Sequence, residues 1–261
     1  MIQNEEFRSK YLNTLAKITI VTPNNTKSLK AVLILLHGSL YPEGEYSIFE
    51  RIPDELHLQR LCDIYKIMIV LPFMPVNCYY ISSNDFDCDS FLANELLLHL
   101  QKKYNHIPHT EIVLGGISMG GYGALLVGAH TKRFKRILSV SGAFIQNDII
   151  IGNSEIWGRS TPDKIAESES YLRYFYPFSD LDRATERNVV MALQALSLCD
   201  NKTSFFLSCG TCDRLYNRNK SLARELKKFR FNHSFVQLKG EKHDSDCFRK
   251  GLWAGVNWLF R

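Results

Sequence analysis

The chain has 261 residues, of which 45% are hydrophobic and 23% charged, and its net charge is +5. This composition is typical of a globular protein with a sizeable core. The basic residues are dispersed, which argues against a nucleic-acid partner. Residues 1–10 are polar, and no run approaches the roughly 18 apolar residues of a membrane span, so we expect a cytoplasmic protein with no membrane partner.

The seven cysteines are scattered along the chain. An odd number of cysteines without an export signal predicts free thiols rather than a disulfide framework. Cys209 and Cys212 have the C-x-x-C spacing of a zinc or redox motif, but no second pair lies where it would complete a four-ligand zinc site. We therefore expect no metal site.

Apolar runs alternate with segments of helical period from about residue 12 onward, which predicts one α/β domain, residues 1–261, with a mostly parallel sheet. The first run, 12–21, alternates weakly and predicts an antiparallel edge strand or hairpin arm. Continuous apolar runs predict buried strands at 31–36, 66–71, 112–117, 136–142, 204–209 and 233–238. Helices are predicted at 90–104, 122–129, 216–230 and 248–260.

Between residues 144 and 198 the alternation of strands and helices lapses into polar and aromatic sequence, before a helix-like stretch near 188–196. An insertion between two sheet strands often overhangs the active face and shapes a substrate pocket. The segment is predicted to be such a cap. A surface excursion whose aromatic side chains pack on the core is an equally weighted alternative.

Gly116, Ser118 and Gly120 form a G-x-S-x-G motif between an apolar run, 111–115, and the predicted helix 122–129. A serine held at such a strand-to-helix turn has its Oγ thrust out of the sheet, and the small flanking residues let strand and helix pass without a clash. The motif therefore predicts a nucleophile elbow with Ser118 as the nucleophile. A chance glycine-rich turn is the alternative.

A nucleophilic serine needs a base and a group that orients the base. In enzymes with this elbow, the acid and then the histidine follow the serine, each on a loop after a strand. Asp213 follows the run 204–209, and His243 follows the run 233–238. Alone, Asp213 would be interpreted as a helix cap and His243 as a solvated loop residue, but with Ser118 they predict a catalytic triad.

Three other acidic residues fit the position of the acid less well. Asp200 precedes its strand, and Asp244 and Asp246 follow His243 too closely. The remaining histidines have no matching position after a strand.

An oxyanion hole requires backbone N–H groups directed at the developing charge. The first donor is predicted to be Met119, the residue after the nucleophile. The second is expected from the loop after the run 31–36, where Gly38 permits a tight turn, and Ser39 is the favoured donor with Leu40 as its substitute. His37 is expected to brace this loop by hydrogen bonding.

With these residues placed, the chain resembles the putative-esterase branch of the α/β-hydrolases, which includes S-formylglutathione hydrolase (esterase D), and within it the tributyrin-type acyl esterases most. The motifs that carry the likeness run from about residue 12 to the end: Leu35-Leu36-His37-Gly38, Leu71-Pro72, Tyr79-Tyr80, Glu95-Leu96, Gly116 to Ala124, Ser141-Gly142-Ala143, Cys209-Gly210-Thr211 with Asp213, and His243-Asp244. The resemblance implies an α/β-hydrolase fold and a cofactor-free carboxylesterase that favours short acyl chains.

Two segments depart from the family pattern. Tyr41-Pro-Glu-Gly44 follows the His37-Gly38 pair, and Ser245 to Phe248 stands where the family commonly carries a tryptophan. Both border the expected pocket, so substrate specificity is open. Tyr41, Tyr79 and Tyr80 are the predicted substrate-binding residues.

The favoured hypothesis is therefore a serine carboxylesterase that forms an acyl-enzyme with a small-molecule ester. One alternative is acyl transfer to an alcohol or sugar acceptor with the same triad. A non-catalytic binding protein on the same scaffold is a further alternative, against which the intact triad argues. The oligomeric state is open, and a homodimer is one possibility.

Overall fold

A computed structural model describes residues 1–25, 29–39, 51–74, 78–104, 112–146, 187–200 and 202–260. Its strands form one twisted sheet, and their bounds in chain order are β1 Ile2–Arg8, β2 Leu15–Val21, β3 Ala31–Leu36, β4 Ile67–Pro72, β5 Ile112–Ile117, β6 Arg136–Val140, β7 Ser204–Gly210 and β8 Asn232–Leu238. The order across the sheet is β1-β2-β4-β3-β5-β6-β7-β8.

The first two strands are antiparallel to their neighbours, and β3 to β8 are mutually parallel. The run at 12–21 was predicted to be an edge strand or hairpin arm, and its strand β2 is a hairpin arm. The edge is instead occupied by β1, which pairs with β2 from Ile2 opposite Val21 to Arg8 opposite Leu15. The sequence does not predict β1, because five of its seven residues are polar.

Helices cover both faces of the sheet. Their bounds are α1 Ile52–Glu55, α2 Leu58–Tyr65, α3 Cys88–Ser90, a π-helical turn Phe91–Glu95 that continues into α4 Leu96–Lys103, α5 Met119–Thr131, α6 Val189–Ser197, α7 Tyr216–Lys228 and α8 Ser245–Leu259. The predicted helices at 90–104, 216–230 and 248–260 correspond to the π turn with α4, to α7 and to α8. None of the helices in the described part of the chain is long and apolar enough to cross a membrane.

The parallel strands are buried on both faces, since every residue of β3 and β4 is buried. Alternate side chains divide between two apolar clusters: Val32 and Ile34 pack on the face of α4 and α5, and Leu33 and Leu35 pack on the face of α2 and α8. This arrangement explains the continuous apolar runs in the sequence. The prediction of an α/β fold with a mostly parallel sheet is confirmed.

The six parallel strands end on the same side of the sheet, and five of them, β3 and β5 to β8, are followed there by a segment of the candidate site. Leu36 pairs with Gly116, and Gly210 pairs with Leu238, so the loops after these strands emerge side by side. The predicted cap, 144–198, lies largely outside the described residues, which include only its ends, 144–146 and 187–198.

Candidate active site

Ser118 occupies the turn between β5 and α5 with φ 55° and ψ −115°, a region that residues with a side chain rarely adopt. Its N–H donates to Val140 O at 2.9 Å, and its carbonyl oxygen accepts the N–H of Ala143 at 2.9 Å. The end of β6 thus holds the serine backbone from both sides. Strained backbone of this kind persists only where its surroundings over-determine it.

Glycines are required on either side of Ser118 because the strand and helix cross in contact. A Cβ on Gly116 would lie 2.0 Å from the carbonyl oxygen of Gly120, and a Cβ on Gly120 would lie 2.1 Å from the carbonyl oxygen of Leu36. Both contacts would be with backbone atoms, which cannot move aside as the end of a flexible side chain could. The geometry is that of a nucleophile elbow.

Three side chains from three loops form a relay at this edge. Ser118 Oγ lies 3.0 Å from His243 Nε2, and His243 Nδ1 lies 2.8 Å from Asp213 Oδ2. Because the Asp213 carboxylate accepts the Nδ1 proton, Nε2 is left to accept the proton of Ser118 Oγ. The three residues predicted as a triad are brought together within hydrogen-bond distance.

The Asp213 side chain is fully buried. Burial would raise the pKa of its carboxyl group, but hydrogen bonds from His243, the Leu215 N–H and Ser141, with the charge of His243, hold the pKa below its usual range. The Leu215 N–H donates to Asp213 Oδ1 at 2.8 Å. The carboxylate is therefore ionised at neutral pH, as a group that orients and stabilises an imidazolium must be.

The loops that carry the acid and the base are joined to each other. The Cys212 N–H donates to Glu241 O at 3.0 Å, and the Gly240 N–H donates to Thr211 Oγ1 at 2.9 Å. Gly240 has φ 77°, a left-handed conformation that favours glycine. These bonds fix Asp213 and His243 relative to one another.

The residues after His243 support the ring rather than compete with Asp213. Asp244 caps α8 by accepting the Cys247 N–H at 3.0 Å. Asp246 is exposed and pairs with Arg249 at 2.6 Å. The Phe248 ring meets the His243 ring edge to face at 4.9 Å between centroids.

The two predicted oxyanion donors flank the nucleophile. Met119 is the first residue of α5, where backbone N–H groups have no helical partner. Ser39 follows Gly38, and a Cβ on Gly38 would lie 3.4 Å from the Ser118 Cβ, so the loop passes in contact with the serine. Leu40 lies outside the described residues.

His37 braces the loop that carries Ser39. Its Nδ1 donates to Gly38 O at 2.6 Å, and its Nε2 accepts the Met74 N–H at 2.9 Å. The Tyr80 hydroxyl donates to His37 O at 3.3 Å. These bonds use both ring nitrogens of a neutral imidazole, and burial lowers the pKa of His37 to about 4, although the bond to Gly38 acts in the opposite direction.

We expect the burial of neutral His37 to make folding sensitive to mild acid. The unfolded chain binds a proton at His37 below about pH 6.5, and the folded protein does so only near pH 4. The contribution of His37 to the free energy of unfolding is therefore complete above pH 6.5 and is lost as the pH falls towards 4. Urea unfolding of wild type and His37→Asn at several pH values measures this contribution. The stability advantage of wild type should shrink by on the order of 3 kcal/mol across this window. An advantage that is constant with pH would contradict the assignment.

The predicted substrate-binding tyrosines have different placements. Tyr41 lies outside the described residues. Tyr79 and Tyr80 are fully buried, with positive φ values of 54° and 57° that turn the chain inward. The Tyr79 ring packs against Tyr122 at 5.6 Å between centroids. The Tyr80 hydroxyl bonds the oxyanion loop at His37 O. Direct contact of either tyrosine with a substrate stays a prediction.

Two further residues at this edge were not identified from the sequence. Ser141, with φ 49°, is fully buried at the end of β6, where its hydroxyl helps to lower the pKa of Asp213. Asn219, also fully buried, bonds the backbone of Gly142 and Leu215. Ser141 belongs to the Ser141-Gly142-Ala143 likeness, but the sequence gives it no role beside Asp213. No local motif marks Asn219, because its bonds to Gly142 join residues 77 positions apart.

Neither metal nor thiol chemistry gains support from the described residues. Among them, no group of three or more histidine, cysteine or acidic residues is arranged to hold a metal ion. Cys209 is buried, burial raises its pKa, and Cys212 is exposed.

Comparisons with known proteins agree with this geometry. Residues 9–255 match the family described as Putative esterase. The chain is 26% identical over 245 residues to an acetyl esterase of Caldicellulosiruptor saccharolyticus, which covers 90% of this chain and 85% of that protein.

Solved structures share the fold at lower identity. An S-formylglutathione hydrolase of Staphylococcus aureus superposes with a TM-score of 0.78 at 16% identity, covering 100% of this chain and 99% of that one. A ferulic acid esterase superposes with a TM-score of 0.68 at 22% identity, covering 100% and 98%. The predicted resemblance is confirmed: the chain belongs to the Putative esterase family and is a carboxylic ester hydrolase with an α/β-hydrolase fold.

Proposed function

We propose that the protein hydrolyses short-chain acyl esters of small molecules through an acyl-enzyme on Ser118. The observation that carries the proposal is the relay from Ser118 Oγ to His243 Nε2 at 3.0 Å and from His243 Nδ1 to Asp213 Oδ2 at 2.8 Å. A serine hydroxyl is a weak nucleophile at neutral pH, and this arrangement supplies both its base and the group that orients the base.

In the first half-reaction, Ser118 Oγ attacks the ester carbonyl carbon as His243 Nε2 takes the hydroxyl proton. The resulting imidazolium is stabilised by the buried Asp213 carboxylate. The negative charge that develops on the carbonyl oxygen is stabilised by the N–H groups of Met119 and Ser39. The tetrahedral intermediate then collapses, the proton passes from His243 to the leaving alcohol, and the acyl group stays on Ser118.

In the second half-reaction, His243 takes a proton from water, which attacks the acyl-enzyme carbonyl. The same donors stabilise the second tetrahedral intermediate. Its collapse returns the proton to Ser118 Oγ and releases the carboxylic acid. Hydrolysis rather than acyl transfer is supported by the family and by the acetyl esterase relative.

A small cavity supports the preference for short acyl groups. It has a volume of about 210 Å³ and lies beside the oxyanion loop, between β3, α1 and the start of α8. Its walls include Gly38, Ser39 and Phe248. This volume is below the roughly 300–1,000 Å³ of sites for drug-sized ligands.

Three of the polar side chains that line the cavity bind each other. Glu55 pairs with Arg51 at 3.3 Å and accepts a hydrogen bond from Ser245 Oγ at 2.7 Å. The remaining wall is largely apolar and includes Ile52 and Leu56. An apolar acyl group of a few carbons suits such a space better than a charged or sugar-like group.

The substrate range is tested with p-nitrophenyl esters from acetate to decanoate, with S-formylglutathione and an acetylated sugar alongside. We expect the highest kcat/KM between acetate and butyrate. In Leu56→Ala the cavity deepens, so kcat/KM for hexanoate relative to acetate should rise about tenfold. This is the factor expected when about two more CH₂ groups are buried at roughly 0.8 kcal/mol each.

Leu61→Ala is the matched control, because Leu61 is fully buried in the same apolar cluster and does not line the cavity. Both variants should lose roughly 2–5 kcal/mol of stability, so activities are compared on protein shown to be folded. Equal hexanoate-to-acetate ratios in the two variants would contradict the acyl site, and a wild type that turns over none of the esters would contradict the proposed function.

A further inference from the structure

Asn219 lies in the first turn of α7 and is fully buried, although it has a polar side chain. A buried amide is costly unless its groups are hydrogen-bonded. Its Oδ1 accepts the Gly142 N–H at 3.1 Å, and its Nδ2 donates to Gly142 O at 2.9 Å and to Leu215 O at 3.0 Å. The amide can take only this orientation, because a flipped group would set its oxygen against two carbonyl oxygens.

Two of these hydrogen bonds join Asn219 to the loop that holds the nucleophile. Gly142 is flanked by residues of the β6 end: Ala143 N–H donates to Ser118 O, and Ser118 N–H donates to Val140 O, both at 2.9 Å. Asn219 bonds both the N–H and the carbonyl of Gly142, so it fixes the peptide plane on each side of that residue. The position of the Ser118 backbone therefore depends on a segment that Asn219 holds.

The third hydrogen bond of the Asn219 amide joins it to the turn that holds the acid. Leu215 O accepts a bond from the Asn219 side chain and another from the Asn219 backbone N–H at 3.0 Å. The N–H of the same Leu215 donates to Asp213 Oδ1 at 2.8 Å. The acid and the nucleophile come from loops after different strands, and one amide bonds the backbone of both loops.

We propose that Asn219 is a positioning residue for ester hydrolysis: it sets the distance across which His243 must bridge Asp213 and Ser118. The inference rests on the proposed function, because it assumes that this triad performs the chemistry. Asn219 touches neither the substrate nor the reacting atoms. Its effect on turnover passes through the geometry of the acid and the nucleophile.

The test is a double-mutant cycle with Asn219→Leu and Asp213→Asn, measured as kcat and KM for p-nitrophenyl acetate. In the wild-type background, Asn219→Leu should lower kcat about 10- to 100-fold with little change in KM, because a displacement of about 1 Å can cost this much. In the Asp213→Asn background the same change should lower kcat less than about threefold, since the relay it positions is already disabled.

Thr203→Val is the matched control. Thr203 is also buried, and its hydroxyl donates to Phe134 O at 3.3 Å. It precedes β7, at the N-terminal ends of the parallel strands and away from the site. This variant removes a comparable buried hydrogen bond and should leave kcat within about threefold of wild type. If Asn219→Leu does not fold, Asn219→Ser enters the same cycle, because the space it leaves can admit a bridging water.

The outcomes separate the two proposals. Equal losses from Asn219→Leu in both backgrounds, or a loss no larger than that of Thr203→Val, would overturn the positioning role. Near-normal activity of Asp213→Asn alone would instead overturn the proposed triad, whatever Asn219 does.

Discussion

Ser118→Ala is expected to lower kcat/KM for p-nitrophenyl acetate by about four to six orders of magnitude. The change removes the oxygen that forms the covalent bond to the acyl group in the proposed mechanism. It also leaves His243 Nε2 without the hydroxyl at 3.0 Å. Rapid quenching and mass spectrometry should find one acetyl group on Ser118 in the wild type and none in the variant. A fluorophosphonate probe should label the same residue.

Ser197→Ala provides the control, because the Ser197 hydroxyl is exposed at the end of α6 and donates to Gln194 O in that helix at 2.6 Å. It should be indistinguishable from wild type in both assays. Near-normal turnover by folded Ser118→Ala, or an acetyl group found on another residue, would end the acyl-enzyme proposal.

Asp213→Asn is expected to lower kcat about 10⁴-fold while KM changes little. The amide is the same size as the carboxylate, so the Leu215 N–H can still donate to its oxygen. The group that faces His243 Nδ1 can then be the amide NH₂, which favours a ring whose proton sits on Nε2. A ring in that tautomer cannot take the proton of Ser118.

Asp246→Asn is the paired control for this prediction. Asp246 lies three residues after His243, but its carboxylate is 64% exposed and pairs with Arg249. An exposed pair of this kind contributes little, so kcat should be unchanged. A loss in Asp246→Asn as large as in Asp213→Asn would mean that the wrong carboxylate has been assigned.

The sequence identifies Ser118, Asp213 and His243 because each is marked locally. Each follows an apolar run, and parallel strands deliver the ends of such runs to one edge. Their chain order completes the prediction without any knowledge of distances. The geometry adds what order alone does not contain, which is the contact between the Asp213 and His243 loops through Thr211 and Cys212.

Strand β1 is an example of structure that local patterns do not predict. Its carboxylates and amide lower the strand propensity, and it presents no continuous apolar face. It is held by pairing with β2 and by contacts with distant residues: Glu5 bonds His99 at 3.1 Å, and the Phe7 and His99 rings stack at 4.0 Å between centroids. Tertiary contacts here override the preference of the segment.

Asn219 illustrates the same limit at the site itself. Asn217 lies two residues earlier on the same helix, and the sequence offers no reason to choose one over the other. The difference arises because helical spacing turns Asn219 towards Gly142, 77 residues away in the chain. Because Asn219 bonds backbone groups, which every residue carries, no partner side chain in the sequence indicates its role.

The residues of the G-x-S-x-G motif meet two different requirements, one steric and one chemical, where β5 and α5 cross. Gly116 and Gly120 are demanded by backbone contacts of about 2 Å that any added Cβ would make, and this demand does not depend on the hydroxyl of Ser118. A descendant that lost the serine would still need both glycines to fold. The glycines therefore report the shape of the turn, and only the serine between them reports the chemistry.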